Sequence, residues 1–294
     1  MLRSMPEERL IRVIGDAGVQ LAVRVFESPS PDAPGVLLHH GLASSQHIWD
    51  RMLPRLTRHM QVVTYDARGH GMSAKPNRGY GFDHVVADAL AVSRAAELER
   101  PVVVGHSWGA MVTLELAGRH PDAVTGAVLV DGGMHPVGAE MDWPTTKQEL
   151  APPHLTGMRL EEFRRLMRSF FGEAVELTPD LEAQVLSVMR VRRDGTIAPR
   201  LARSNHFRIL RAIWEQDPYE LWAHLRVPTL SIVARDRADA VRYERMRGAV
   251  ARVRASTRGH PVAIEWMDGI HDLPLQHPEA LARRIERFAQ VAVG

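Results

Sequence analysis

Pro101-Val102-Val103-Val104-Gly105-His106-Ser107-Trp108-Gly109-Ala110 is the stretch on which the reading of this chain turns. A short β-branched run ends in Gly-x-Ser-x-Gly, and the segment from Met111 to Arg119 that follows has helical character. The pattern predicts strand, sharp turn, helix. At such a turn the serine takes strained backbone angles that push its Oγ out above the sheet edge. The flanking glycines are needed because a Cβ at either position would collide with the neighbouring strand or helix. Ser107 is therefore a candidate nucleophile.

Outward from this turn, short apolar runs alternate with amphipathic segments. Arg9–Asp16 and Val19–Glu27, around Asp16-Ala17-Gly18, predict an opening antiparallel hairpin. Gly35–His40, Gln61–Asp66, Pro101–Gly105, Gly126–Asp131, Thr229–Ala234 and Pro261–Met267 predict buried strands. Ile48–Leu56, Phe82–Leu98, Trp108–Arg119, Arg242–Arg254 and Pro278–Val291 predict helices. In the last of these, Pro278 suits a first helical position, Glu279 favours the positive end of the dipole, and Leu281, Ile285 and Phe288 share one face. Alternation of this kind implies an α/β fold with a mostly parallel sheet covered on both faces.

The alternation breaks between about Met134 and Leu225, where the pattern reads as purely helical. Leu160, Phe163, Met167, Phe170 and Phe171 form an apolar stripe that Gly172 stops, and Asn205–Gln216 carries Phe207, Ile209, Leu210 and Trp214. This insertion begins just after one strand and ends just before another, which places both its ends at one sheet edge. The expected organisation is a core of residues 1–133 and 226–294 with an all-helical cap, 134–225, over the strand ends where open α/β sheets keep their crevice.

Bulk properties narrow the classes. A chain of 294 residues, 45% hydrophobic and 24% charged, is ordinary for a globular protein and long enough for one large core plus a lid. Its apolar runs fall short of the ~20 residues that span a bilayer, and Met1–Glu8 lacks an apolar signal core. With no cysteine the chain has no disulfide, metal thiolate or cysteine nucleophile, and it fits a reducing cytoplasm. Net charge is +2, and the arginines are interleaved with acids instead of clustered, so a nucleic-acid surface is not expected. Nor is a cofactor or a metal: there is no dinucleotide fingerprint, phosphate loop or metal-spaced His and carboxylate cluster. The expected partner is a small-molecule substrate, and oligomeric state is not legible.

With these pieces assembled the chain resembles the α/β-hydrolase superfamily, nearly end to end across its core. Besides the Ser107 turn, His40-Gly41-Leu42 follows the third strand, Asp66-Ala67-Arg68-Gly69-His70-Gly71-Met72-Ser73 follows the next, and Gly269-Ile270-His271-Asp272 precedes His277-Pro278. The resemblance implies an eight-stranded, mostly parallel sheet. It implies a triad in the chain order serine, acid, histidine, with His271 in the histidine slot. A serine hydroxyl is a poor nucleophile until an imidazole accepts its proton, and the imidazole needs an anion to fix its tautomer. For that anion Asp236, just past the strand Thr229–Ala234, fits the family pattern best; Asp131 and Asp239 are the alternatives, and Asp236 could instead pair with Arg235 or Arg237. The resemblance places the oxyanion donors at the backbone N–H groups of Leu42 and Trp108, and gives His40, Asp66, Arg68 and His70 bracing roles.

The Trp108 ring has two readings, pocket wall or packing beneath the lid. Trp143, Phe170, Phe171 and Trp214 are candidates for an apolar substrate pocket, or for the lid's own small core. The superfamily's epoxide hydrolases and haloalkane dehalogenases use an aspartate nucleophile, so Ser107 speaks against those activities. The expected function is a cofactor-independent serine hydrolase cleaving a carboxylic ester or lactone through an acyl-enzyme. The alternatives are carbon–carbon or amide hydrolysis with the same triad, or a receptor built on this fold with little turnover.

Overall fold

The computed structural model describes residues 7–27, 30 and 32–293; residues 1–6 of the segment read above for a signal core lie outside these. In chain order the strands are β1 (Glu8–Ile14), β2 (Gln20–Phe26), β3 (Gly35–His39), β4 (Gln61–Tyr65), β5 (Val102–His106), β6 (Gly126–Val130), β7 (Met189–Val191), β8 (Ile197–Pro199), β9 (Thr229–Arg235) and β10 (Val262–Asp268). The helices are α1 (Leu53–Leu56), α2 (Phe82–Ala95), α3 (Trp108–Arg119), α4 (Val137–Glu140), α5 (Trp143–Glu149), α6 (Leu160–Phe171), α7 (Pro179–Leu186), α8 (Arg203–Glu215), α9 (Pro218–His224), α10 (Ala240–Ser256), α11 (Leu273–Gln276) and α12 (Pro278–Val293).

Eight strands form one sheet in the order β1-β2-β4-β3-β5-β6-β9-β10. β2 runs antiparallel to both its neighbours and the remaining pairings are parallel. Successive side chains of the central strands point to opposite faces, and both faces are buried. Leu37, Val103 and Leu129 join one apolar layer with α2, α3 and α10. Val36, Leu38, Val102, Val104, Val128 and Val130 join the other, where Leu281, Ala282, Ile285 and Ala289 of α12 pack. This two-sided burial is why β5 and β6 read as unbroken apolar runs. No helix among the described residues is long and apolar enough to cross a membrane.

Two expectations change. The single helix expected over Ile48–Leu56 is a 3-10 turn, Gln46–Trp49, followed by the four-residue α1. Pro54 lies in the first turn of α1, and its missing N–H prevents a continuous ladder through Asp50. The inserted segment is not all-helical either: β7 and β8 pair antiparallel, closed by a turn in which Asp194 Oδ1 accepts from the N–H and the hydroxyl of Thr196. Asp194-Gly195 between Val191 and Ile197 is a hairpin signature that the helical stripes on either side obscured.

The insertion leaves the sheet after β6 and rejoins it at β9, and these two strands are paired neighbours (Ala127↔Thr229). It is tied to the core at several points. Trp222 Nε1 donates to Gly133 O at 2.6 Å, Gln216 Nε2 to Glu115 Oε1 at 2.7 Å, and Gln184 Nε2 to His47 O at 2.6 Å.

Within the core, the loop after β4 is fixed to α2 by a buried ion pair. Arg68 Nε and Nη2 each donate to Asp88 at 2.7 Å, and Asp88 Oδ1 also accepts from Asp16 N. Removing one partner strands a charge in a site where both side chains are 1% exposed. Asp88→Ala is therefore expected to cost about 3–5 kcal/mol in urea unfolding. Glu215→Ala, which breaks the exposed Arg211–Glu215 pair, is expected to cost about 0.3–0.5 kcal/mol. Equal costs would contradict the structural role given to the buried pair.

Candidate active site

Parallel pairing brings the carboxyl ends of β3, β5, β6, β9 and β10 to one edge, and Leu42, Ser107, Asp131, Asp236, Asp239 and His271 lie in the loops there. Ser107, between β5 and α3, has φ 56° and ψ −118°. A Cβ on Gly105 would lie 2.0 Å from Gly109 O, and one on Gly109 would lie 2.3 Å from His39 O. The tight turn and the approach of α3 to β3 thus both require glycine.

His271 Nε2 stands 2.9 Å from Ser107 Oγ, and its Nδ1 is 2.5 Å from Asp131 Oδ2. The structure therefore corrects the first choice of acid. Asp236, past the end of β9, accepts from Ala238 N in a local turn, and Asp239 caps α10 by accepting from Arg242 N. The two arginines beside Asp236 both hold Asp268 instead. The reason lies in strand order: β6 is next to β5, whereas β9 is one strand further out. A carboxylate at the end of β6 meets an imidazole poised over the serine. Gly132 was the available signal. A Cβ there would sit 2.2 Å from Ser107 O, so the Asp131-Gly132 pair marks the close passage of β6's end against the turn.

The carboxylate is fully enclosed. Asp131 Oδ1 accepts from Ala234 N at 2.9 Å. Oδ2 is shared between His271 and the guanidinium of Arg242, whose Nη2 lies 2.5 Å away. Burial opposes ionisation of Asp131, but these hydrogen bonds and the charges of His271 and Arg242 outweigh it and lower its pKa. Partial desolvation opposes charging of the half-exposed His271, yet the bond to Asp131, its charge and that of Asp272 raise the imidazole's pKa, with Arg242 pulling the other way. His106, buried beneath the site, donates from Nε2 to His271 O at 2.9 Å. Burial, with the nearby His271, holds its pKa down at about 4, so it is a neutral anchor for the histidine loop. Neither Arg242 nor His106 was singled out from sequence. A lone arginine among many and a histidine inside the turn motif carry no distinguishing spacing.

The N–H groups of Leu42 and Trp108 make no hydrogen bond among the described residues, and both residues border the cleft that holds Ser107. This cleft has a volume of about 580 Å³, with Met111, Met134, Leu210, Ile213 and Met246 among its apolar lining. In general, a developing oxyanion is stabilised where two preorganised N–H donors stand beside a nucleophile. Ala43, Ser107 and Asp131, all non-glycine residues with positive φ, border the same cleft, a concentration of backbone strain typical of functional sites.

The remaining candidates fall as follows. The Trp108 ring is 2% exposed, stacked on His70 and edge-on to His39, so packing dominates although the residue borders the cleft. His40 braces its turn: Nδ1 donates to Gly41 O and Nε2 accepts from Ala67 N. Trp143 and Trp214 pack on each other and on Arg211, and Phe171 lies in the core. None of the four aromatic pocket candidates borders the cleft containing Ser107, and Phe170 borders a separate cavity.

The family model for the alpha/beta hydrolase fold matches residues 34–236, and the chain belongs to that family. It is 32% identical over 176 residues to a haloalkane dehalogenase from Bradyrhizobium diazoefficiens, covering 59% of this chain and 55% of that protein. The chain spans about half or less of the length of the curated relatives it matches first. Among solved structures it superposes on E-2-(acetamidomethylene)succinate hydrolase with TM-score 0.75 (19% identity, 97% of this chain and 100% of that one). On the enol-lactonase of Burkholderia xenovorans LB400 the TM-score is 0.72 (18% identity, 95% and 100%). Likeness at this level speaks for the fold.

The shared oxygen of Asp131 makes a measurable prediction. In an NMR titration of histidine-labelled protein, His271 should titrate above the ordinary 6.5. Arg242→Met removes a neighbouring positive charge and should move that titration higher still, while Asp131→Asn should move it below the wild-type value. Unchanged titration in both variants would contradict the electrostatic coupling.

Proposed function

We propose that the protein is a cofactor-independent serine hydrolase that cleaves a carboxylic ester or lactone of a small to medium, largely apolar substrate. The observation that carries this reading is the continuous relay Ser107 Oγ, His271, Asp131, on the border of a cleft also bordered by Leu42 and Trp108, whose N–H groups are unpaired. Ser107 attacks the carbonyl carbon as His271 Nε2 takes its proton, and Asp131 keeps Nδ1 protonated and offsets the imidazolium charge. The carbonyl oxygen gathers negative charge between Leu42 N and Trp108 N. His271 then returns the proton to the departing alcohol, leaving an acyl-enzyme. Water deprotonated by His271 attacks that acyl group, and the acid and free Ser107 result.

Residues 134–225 act as the cap in this reading, closing the cleft from above with Pro152, Pro153, His206, Leu210 and Ile213. Some relatives are named dehalogenases and epoxide hydrolases. A serine attacking a saturated carbon leaves an ether that water does not open, so the hydroxyl at position 107 favours acyl chemistry. The absence of cysteine suits work in a reducing cytoplasm.

Ser107→Ala is expected to abolish both esterase turnover and labelling by a fluorophosphonate. Asp131→Asn should lower kcat about 10⁴-fold, whereas Asp236→Asn should leave it within about twofold. The reverse order would return the acid's role to Asp236. Because the raised pKa of His271 must be passed before the imidazole is neutral, kcat/KM should climb with pH through a limb above 6.5. A rate flat down to pH 4 would remove His271 as the base.

A further inference from the structure

A second cavity, of about 420 Å³, lies beside the catalytic cleft between the core and the inserted segment. Ala43, Pro152, Pro153 and His206 border both spaces, so they form the wall the two have in common. Past that wall the second chamber is lined by Phe163, Met167, Val185, Val188, Met189 and Leu201, with Phe170, 67% exposed, also on its border. Its volume falls within the range that holds a drug-sized organic ligand, roughly 300–1,000 Å³.

Ser44, His154, Thr156, Arg200 and Arg203 are the polar residues on its border besides the histidines His70 and His206, and both arginines are held by main-chain carbonyls. Arg200 Nε donates to Ser187 O, and Arg203 Nη1 to Pro152 O. Burial lowers the pKa of both His70 and His206, so they face the chamber as neutral rings. No aspartate or glutamate among the described residues lines it. Such a space takes hydrocarbon.

The chemistry at Ser107 tells which part of a substrate goes there. The departing group must lie against His271, because it receives its proton from Nε2. Neither His271, Asp131 nor Arg242 borders the second chamber; all three border the first. The chamber is instead reached past Ala43, the neighbour of Leu42 on the oxyanion side. The leaving group therefore stays in the first cleft and the acyl group extends away from His271.

We infer that the second chamber is an acyl-chain site, and that the substrate is an ester of a medium-chain or bulky apolar carboxylic acid. The inference rests on the serine-hydrolase reading for the direction of the chain, and on the cavity itself for hydrocarbon binding. Transfer of each buried methylene into such a space strengthens binding by about fourfold.

The test compares 4-nitrophenyl esters from acetate to decanoate, where the leaving group is constant and the acyl chain grows. Wild-type kcat/KM should rise steeply with chain length until the chamber is full. Val188→Phe, filling the chamber from the loop before β7, should lower kcat/KM for decanoate at least tenfold while acetate turnover is unchanged. Val185→Phe, filling it from α7, provides a second variant. Calorimetric binding of decanoate to Ser107→Ala, without and with Val188→Phe, reads the chamber apart from catalysis, and the filled variant should bind more weakly. Acetate as the best wild-type ester, or equal loss of acetate and decanoate in both filled variants, overturns the inference. Inert esters of every length, together with decanoate binding that Val188→Phe weakens, uphold the chamber and instead refute the serine-hydrolase reading.

Discussion

The hydroxyl of Ser107 stands clear of the sheet because three backbone segments pass closer together than any side chain permits. The turn after β5 presses against α3, α3 against the end of β3, and the end of β6 against Ser107's own carbonyl. Everything at the site follows from that contact. It brings the Leu42 loop, the Ser107 turn and Asp131 to one edge, and it leaves without partners the N–H groups of Leu42 and Trp108, two residues that border the cleft. Ala43, Ser107 and Asp131 carry the conformational cost as positive φ angles, about 1–3 kcal/mol each. The packing of β3, β5 and β6 between two apolar layers holds them there.

Electrostatics complete what the backbone begins. One carboxylate oxygen of Asp131 serves both the imidazole of His271 and the guanidinium of Arg242. The histidine and, after it, the arginine hold the acid's pKa down, and the arginine at the same time tempers the basicity the acid confers on the histidine. Asp239 contributes indirectly: by capping α10 through Arg242 N it sets the start of the helix that delivers the guanidinium. Below the site, His106 stays neutral and anchors the loop of His271 by its main chain.

The sheet was legible in the sequence because parallel strands buried on both faces must be mainly apolar, and β3, β5, β6 and β9 are. Ser107 and His271 were legible because their loops carry distinctive glycine and histidine spacing. The choice among acids was harder, since Asp131, Asp236 and Asp239 all lie just past strand ends. Which of them meets the imidazole depends on lateral strand order, a property that no local run of residues records. The β7–β8 hairpin was hidden for a different reason. Three-residue strands carry too little periodicity to register between the strong stripes of α6 and α8. The aromatic pocket candidates were hard to sort because an apolar ring looks the same from sequence whether it borders a cavity, like Phe170, or, like Trp143 and Trp214, packs on its neighbour.

The inserted segment borders both the cleft that holds Ser107 and the apolar chamber beside it. The most direct measurement is a crystal structure of the protein after reaction with an alkyl phosphonate. Phosphorus should be bonded to Ser107 Oγ, with one phosphoryl oxygen about 2.7–3.1 Å from both Leu42 N and Trp108 N and His271 still bound to Asp131. Phosphorus on another side chain, or a phosphoryl oxygen turned away from both N–H groups, would contradict the assignment.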